Sequence, residues 1–289
     1  MTETGPTLTS HDEKALKALI AWWEDAGIEM DEPVITARPS AAAGTPSSSA
    51  EPRREARRVP PAEPVRAATP EAARAAGFGD AVATGPDAQA LAGGADTLDA
   101  LRTAIDAYEG CALKRTARNT VFARGDRAAR LMVIGEAPGR EEDDRGEPFL
   151  GPTGKLLDRM LAAIGIEREQ AYLTHILNWR PPGNRALTQE EITLCLPFIE
   201  RHIALKKPDM LLLAGGLSAQ ALLRTNTPIT RLRGRWTDYT VRDAKGEATD
   251  TTIPALAIFP PSYLIARPGE KRLAWQDLQL VSERLAPTS

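Results

Sequence analysis

Three short loops gather the residues of this chain that can act on a bound molecule. The first runs Gly135-Glu136-Ala137-Pro138-Gly139, continues through Arg140, Glu141, Glu142, Asp143 and Asp144, and ends in Gly146-Glu147-Pro148-Phe149-Leu150-Gly151. Two glycines around a proline make a tight turn that lets backbone approach a ligand closely. A carboxylate on such a turn, Glu136, can orient a water. The plainer alternative is that the glycines and proline only close a strand-to-helix connection and the acids face solvent. The run carries neither GxxxxGK[ST] nor GxGxxG, which excludes a P-loop and a dinucleotide fingerprint. The second loop, His175-Ile176-Leu177-Asn178-Trp179-Arg180-Pro181-Pro182-Gly183-Asn184-Arg185, is polar and braced by prolines, and Asn184 offers both a donor and an acceptor. The third, Phe259-Pro260-Pro261-Ser262-Tyr263-Leu264-Ile265-Ala266-Arg267-Pro268, sets apolar residues between prolines. Tyr263 and Leu264 there suit a wedge that enters a base stack when a nucleotide is flipped out, or they pack back onto the body of the protein.

Each loop follows a short apolar run. LMVIG (131–135), AYLTH (171–175), DMLLLAG (209–215) and PALAIF (254–259) read as strands, with helices expected near 152–164, 188–206, 217–224 and 270–286. Strands separated by helices imply right-handed crossovers and a parallel sheet covered on both faces. The expected fold is therefore α/β, a single domain over 95–289 with a central four-stranded parallel sheet flanked by helices. In such sheets ligands sit beyond the carboxyl ends of the strands, which is where the three loops fall.

The chain has 289 residues, 42% of them apolar, enough for one sizeable core plus appendages. Residues 8–27 read as an amphipathic helix, with Leu16, Leu19, Ile20 and Trp23 at helical spacing, inside an N-terminal segment 1–30. Residues 31–94 read as a largely disordered linker: the stretch 33–75 is rich in Pro, Ala, Ser and Arg and poor in large apolar side chains. Its cluster Arg53, Arg54, Arg57 and Arg58 suits phosphate contact, although a solvated linker is the plainer reading. Residues 1–99 hold 9 Lys and Arg against 16 Asp and Glu, a balance of −7, while residues 100–289 hold 27 against 23, a balance of +4. A mildly basic C-terminal part is compatible with a nucleic-acid partner. The first residues lack a signal peptide's order and no run of about 20 apolar residues occurs, so the expectation is a cytoplasmic protein without a membrane partner. The only cysteines are Cys111 and Cys195, which excludes a four-cysteine metal site.

Between about Cys111 and Val281 the chain resembles the family-4 uracil-DNA glycosylases. The blocks that carry the resemblance are GEAPGREEDDRGEPFLGPTGKLLDRML, YLTHILNWRPPGNRALTQEEITLCLPFI, ITRLRGRWTDY and PPSYLIARPGEKRLAWQDL, in that order and spacing. The resemblance implies hydrolysis of the bond between uracil and deoxyribose in DNA, single- or double-stranded, by a monomer. It assigns Glu136, Glu142, Asn184 and His175 to catalysis. It places Gly135, Ala137, Phe149 and His175 around the base, and Arg185, Ser262, Tyr263, Leu264, Arg267 and Lys271 against DNA. Arg231, Arg233, Arg235 and Arg272 are further cations of the matching blocks. Glycosidic cleavage passes through an oxocarbenium-like sugar, so nearby negative charge and a fixed water suit it.

The sequence departs from the family's pattern in three places. Of four cysteine positions that usually hold a [4Fe–4S] cluster, two are Tyr108 and Trp179; no cofactor is expected, and the two rings are expected to fill the space. His175 stands where an asparagine commonly pairs with the uracil edge. The motif HP[AS]YL reads Pro260-Pro261-Ser262-Tyr263-Leu264, without the histidine that donates to the leaving base. His175 entering the pocket from the neighbouring loop would supply a substitute. The alternative is a weak or inactive homologue that binds DNA or a repair partner.

Overall fold

The computed structural model describes Lys17, Ile20 and residues 87–285. Lys17 and Ile20 are helical; the rest of the expected N-terminal helix, and the linker up to residue 86, lie outside the described residues. Two short helices open the described body, α1 (Ala88–Gly93) and α2 (Leu98–Ala107). The sheet strands follow as β1 (Ala123–Gly125), β2 (Leu131–Gly135), β3 (Ala171–His175), β4 (Met210–Ala214), β5 (Trp236–Arg242) and β6 (Ala248–Ile258). Between and after them lie α3 (Arg140–Arg145), α4 (Gly151–Ala162), α5 (Gln189–Lys206), α6 (Gly216–Leu222), α7 (Ile229–Leu232), α8 (Pro261–Ala266) and α9 (Lys271–Leu285).

The sheet has six strands in the order β1-β3-β2-β4-β6-β5. The expected four parallel strands form its centre, and an antiparallel strand is added at each edge: β1 on β3 and β5 on β6. The edge strands escaped the sequence reading for different reasons. β1 is only the three residues Ala-Arg-Gly. β5 has a single buried residue, Tyr239, and no apolar run; its pairing is fixed by the hairpin turn at Asp243–Glu247, where Gly246 has φ 80°.

The four central strands are buried on both faces, which is why they read as unbroken apolar runs. Alternate residues point to opposite sides. Met132 and Ile134 join Leu101, Phe198 and Ile203 of the layer formed by α2 and α5, while Leu131 and Val133 join Leu157, Met160, Leu278 and Val281 of the layer formed by α4 and α9.

One boundary differs from expectation. Within the stretch expected as linker, residues 88–93 form α1. Asp87 caps it by accepting from the Gln89 N–H at 3.0 Å, and Gln89 Nε2 donates to the Ala244 carbonyl at 3.0 Å. The helix packs through small residues such as Ala92, and an alanine-rich stretch leaves little hydrophobic signal in sequence. No helix among the described residues is long and apolar enough to cross a membrane.

Candidate active site

A cavity of about 430 Å³ opens at the carboxyl ends of β2, β3 and β4, lined among others by Gly135, Glu136, Glu142, Phe149, His175, Asn184 and Pro260. That volume lies within the range of small-molecule sites, roughly 300–1,000 Å³. Parallel pairing sets Gly135 directly beside His175, so both strands deliver their last residue to the same spot. The His175 and Phe149 rings lie with centroids 4.6 Å apart and planes 32° from parallel. A Cβ on Gly135 would stand 2.4 Å from His175 Nδ1 and 2.8 Å from Phe149 Cζ, so only glycine lets the two rings meet over the strand end.

Phe149 is held in the left-handed region, φ 54°. Arg124 fixes that turn from the edge strand: its Nε donates to the Pro148 carbonyl at 2.7 Å and its second terminal nitrogen to the Phe149 carbonyl at 3.0 Å and Asp158 Oδ1 at 2.9 Å. Gly154 completes the fit, since a Cβ there would come within 1.8 Å of the Phe149 carbonyl oxygen. Sequence reading missed Arg124, which sits in a three-residue strand with no motif around it.

Glu142 and His175 form a buried pair, Oε1 to Nε2 at 3.2 Å. Glu142 also accepts from the backbone N–H of Gly139 and, at 3.3 Å, from that of Leu150. Burial disfavours its charge, but the His175 ring and these amides outweigh burial together and hold the carboxyl below its ordinary pKa. In the neutral tautomer whose proton sits on Nε2, the ring donates to Glu142 and Nδ1 is an acceptor. Nδ1 is buried and has no hydrogen-bond partner.

Glu136 lies half-buried on the opposite side of the same turn. Its Oε1 accepts from the Leu217 N–H at 3.0 Å, and Gly215 (φ 142°) passes so close that a Cβ there would be 2.4 Å from Oε1. Burial raises its pKa, and the Leu217 amide only partly offsets this. Ala137 lines the cavity beside it. Asn184 is exposed at the rim with φ 54°, its Oδ1 accepting from Arg180 Nε at 2.7 Å.

The residues expected against DNA separate. Ser262 is exposed at the cavity rim. Tyr263 is half-buried, its ring 4.8 Å from that of Phe259, with the exposed Arg267 guanidinium 5.3 Å over its other face. Leu264 is fully buried in the core and presents nothing to a base stack; in the single turn of α8 it faces the sheet. The next residue, Ile265, is 44% exposed and is the exposed large apolar side chain among the described residues. Lys271 is also buried, at the start of α9, rather than displayed on the surface. Arg185 is exposed but engaged: its fork grips Glu191 at 3.0 and 2.5 Å, in the first turn of α5. Arg233 likewise grips the buried Asp277, whereas Arg231, Arg235 and Arg272 are exposed.

The family's cluster positions converge in the core. The Tyr108 and Trp179 rings stack 6.3 Å apart, and Phe198 meets Tyr108 edge-on at 5.0 Å. The two cysteines are both buried; their mutual influence draws the Cys111 thiol down to about 7, and the same influence together with burial pushes that of Cys195 up. Two thiols beside two packed rings do not fit a [4Fe–4S] group, which needs four ligands. Among the described residues no group of three or more His, Cys, Asp or Glu could hold a metal ion.

Comparison with known proteins places this geometry. A profile described as the uracil DNA glycosylase superfamily matches residues 122–279. A type-4 uracil-DNA glycosylase of Archaeoglobus fulgidus is 34% identical over 192 residues, 65% of this chain and 93% of that protein. The type-4 uracil-DNA glycosylase of Thermotoga maritima is 33% identical over 172 residues, 58% of this chain and 84% of that protein. A DNA polymerase of Bacillus phage SP01 is 33% identical over 113 residues, 39% of this chain but only 12% of the polymerase. The matched segment spans the whole sheet and every loop of the cavity, and the chain belongs to the uracil DNA glycosylase superfamily, within its type-4 group.

Proposed function

We propose that the protein hydrolyses the N-glycosidic bond of uracil flipped out of DNA and leaves an abasic site. The observation that carries this reading is the Phe149–His175–Glu142 arrangement at the floor of the cavity. Phe149 supplies a face for a flat base. His175 Nδ1, left an acceptor by the Glu142 carboxylate, suits the N3–H of uracil; cytosine has no proton at that atom. Gly135 and Ala137 let the base approach the backbone. The Glu136 carboxylate, in the cavity lining, suits a charge near the developing oxocarbenium sugar, and Asn184 at the rim suits the attacking water. Ser262, Tyr263 and Arg267 lie where the strand carrying the base would pass. DNA is the substrate, whether single- or double-stranded, and a cytoplasmic monomer suffices for the reaction.

Pro260 supports a second reading, a feeble enzyme that mainly binds DNA. It lines the cavity at the motif histidine's position and brings neither a side-chain donor nor an N–H. The test is uracil excision from single- and double-stranded oligonucleotides, read as alkali-labile strand breaks, with Phe149→Ala and His175→Ala alongside. Cleavage by the wild type, reduced about 100- to 1,000-fold by His175→Ala, is the expected result. Tight binding to an oligonucleotide carrying an abasic analogue, with no cleavage, would establish the second reading instead.

A further inference from the structure

A second hollow, of about 470 Å³, is lined by Pro152, Lys155, Leu156, Arg159, Ile265, Pro268 and Lys271. It lies between the same two helices that edge the base cavity: Thr153 of α4 and Ser262 of α8 line the first hollow, while Lys155 of α4 and Ile265 of α8 line the second. From Ser262 to Ile265 the helix advances about 4.5 Å, a step that one nucleotide spans. Its wall is apolar, Pro152, Leu156, Pro268 and the exposed Ile265, and its side chains of one sign are Lys155, Arg159 and Lys271. No acidic residue lines it.

We propose that this groove holds the nucleotide next to the flipped base on the same strand, with Ile265 against its base and Lys155 at its phosphate. The inference rests on the glycosylase reading for the position of the first base. Apolar surface beside the exposed Lys155 matches the two parts of a nucleotide, a flat ring and an anion, while Arg159 is half-buried and Lys271 buried. Ile265 thereby takes the place expected of Leu264, standing where a side chain can fill the gap that an extruded base leaves.

The test uses the full chain, with oligonucleotides bearing uracil internally, at the 5′ end or at the 3′ end, and a matching oligonucleotide with a tetrahydrofuran abasic analogue for binding. Lys155→Gln is expected to raise KM about ten-fold on internal uracil and to flatten the slope of log affinity against log salt by about 0.7 on single strands. Ile265→Ala is expected to slow excision from duplex more than from single strands, because only the duplex closes again around the gap. On the terminal-uracil substrate that lacks the neighbouring nucleotide, wild type and Lys155→Gln are expected to converge. Arg102→Glu, an exposed change on α2, is the control and leaves KM alone. Lys155→Gln and Ile265→Ala indistinguishable from wild type on every substrate would overturn the groove. A wild type that excises nothing would sink the glycosylase reading. The groove would then be judged on tetrahydrofuran-oligonucleotide binding alone, where an unchanged affinity and salt slope for Lys155→Gln would overturn it.

Discussion

At His175 one ring nitrogen is committed to Glu142 and the other is buried without a partner. An orphaned polar atom of that kind costs stability in the free protein and regains a partner only when a ligand donates to it. Glu142→Gln is expected to lower kcat/KM for uracil about ten-fold or more, because an amide no longer fixes which nitrogen carries the proton. Steady-state kinetics on a single-stranded substrate reads this directly. At Pro260 the expectation has the opposite sign. Its φ of −66° and ψ of 145° are extended, a conformation that any residue before a proline adopts readily, so Pro260→His fits the backbone and adds a donor at the cavity wall. An increase in kcat of roughly ten- to a hundred-fold is expected; no increase would mean that a donor at this wall does not reach the leaving base. The convergence of Glu136, Glu142, Phe149, His175 and Asn184 was legible in sequence because each follows a strand end. The burial of Leu264 and Lys271 and the pairing of Arg185 with Glu191 were not. Neighbours in a single helical turn differ by about 100° in direction, and sequence alone does not say whether Leu264 or Ile265 faces outward.

At the scale of elements, the loop carrying Asn184 is tied down by the start of α5. Thr188 caps that helix by accepting from the Glu191 N–H at 3.1 Å, Glu191 returns a bond to the Thr188 N–H at 2.9 Å, and Arg185 clamps the Glu191 carboxylate. Thr188→Ala is expected to cost about 1 kcal/mol of stability in urea unfolding. Arg185→Ala, by releasing the loop from the cap, is expected to raise KM more than it lowers stability, since its own charge pair is half exposed and worth little by itself. The strands of the sheet centre and the long helices were readable from periodicity to within a few residues. The edge strands were not, because pairing at an edge is decided by a neighbour and a turn rather than by a buried apolar run. α1 was hidden by its alanines.

For the molecule as a whole, acid is the condition that separates folded from unfolded. His202 is fully buried, stacked 4.4 Å from the Phe122 ring and bonded through Nε2 to the Tyr172 hydroxyl at 2.8 Å. Burial lowers its pKa from 6.5 to about 3. In the folded protein the ring stays neutral down to about pH 3, whereas in the unfolded chain it takes a proton below about 6.5. The unfolded state therefore binds more protons between these values. Its stabilising contribution is whole above pH 6.5 and is lost as pH falls, at up to about 1.4 kcal/mol per unit. The difference in thermal melting between wild type and a His202 variant from pH 7 to 4 is expected to show this slope. In the wild type alone the buried Asp277, raised to about 6, opposes it. His202→Gln, which keeps a partner for the Tyr172 hydroxyl but takes no proton, is that variant.

The stacked Tyr108 and Trp179 rings have a consequence for how the protein comes to be active. Where four thiolates grip an inorganic cluster, the region matures only after iron and sulfide are delivered, and it fails when oxidants strip them away. Here the same corner is closed by side chains that the ribosome already supplies, over a pair of thiols shielded from solvent. This corner of the fold is thus closed by packing of its own side chains, and its stability does not wait on a bound group.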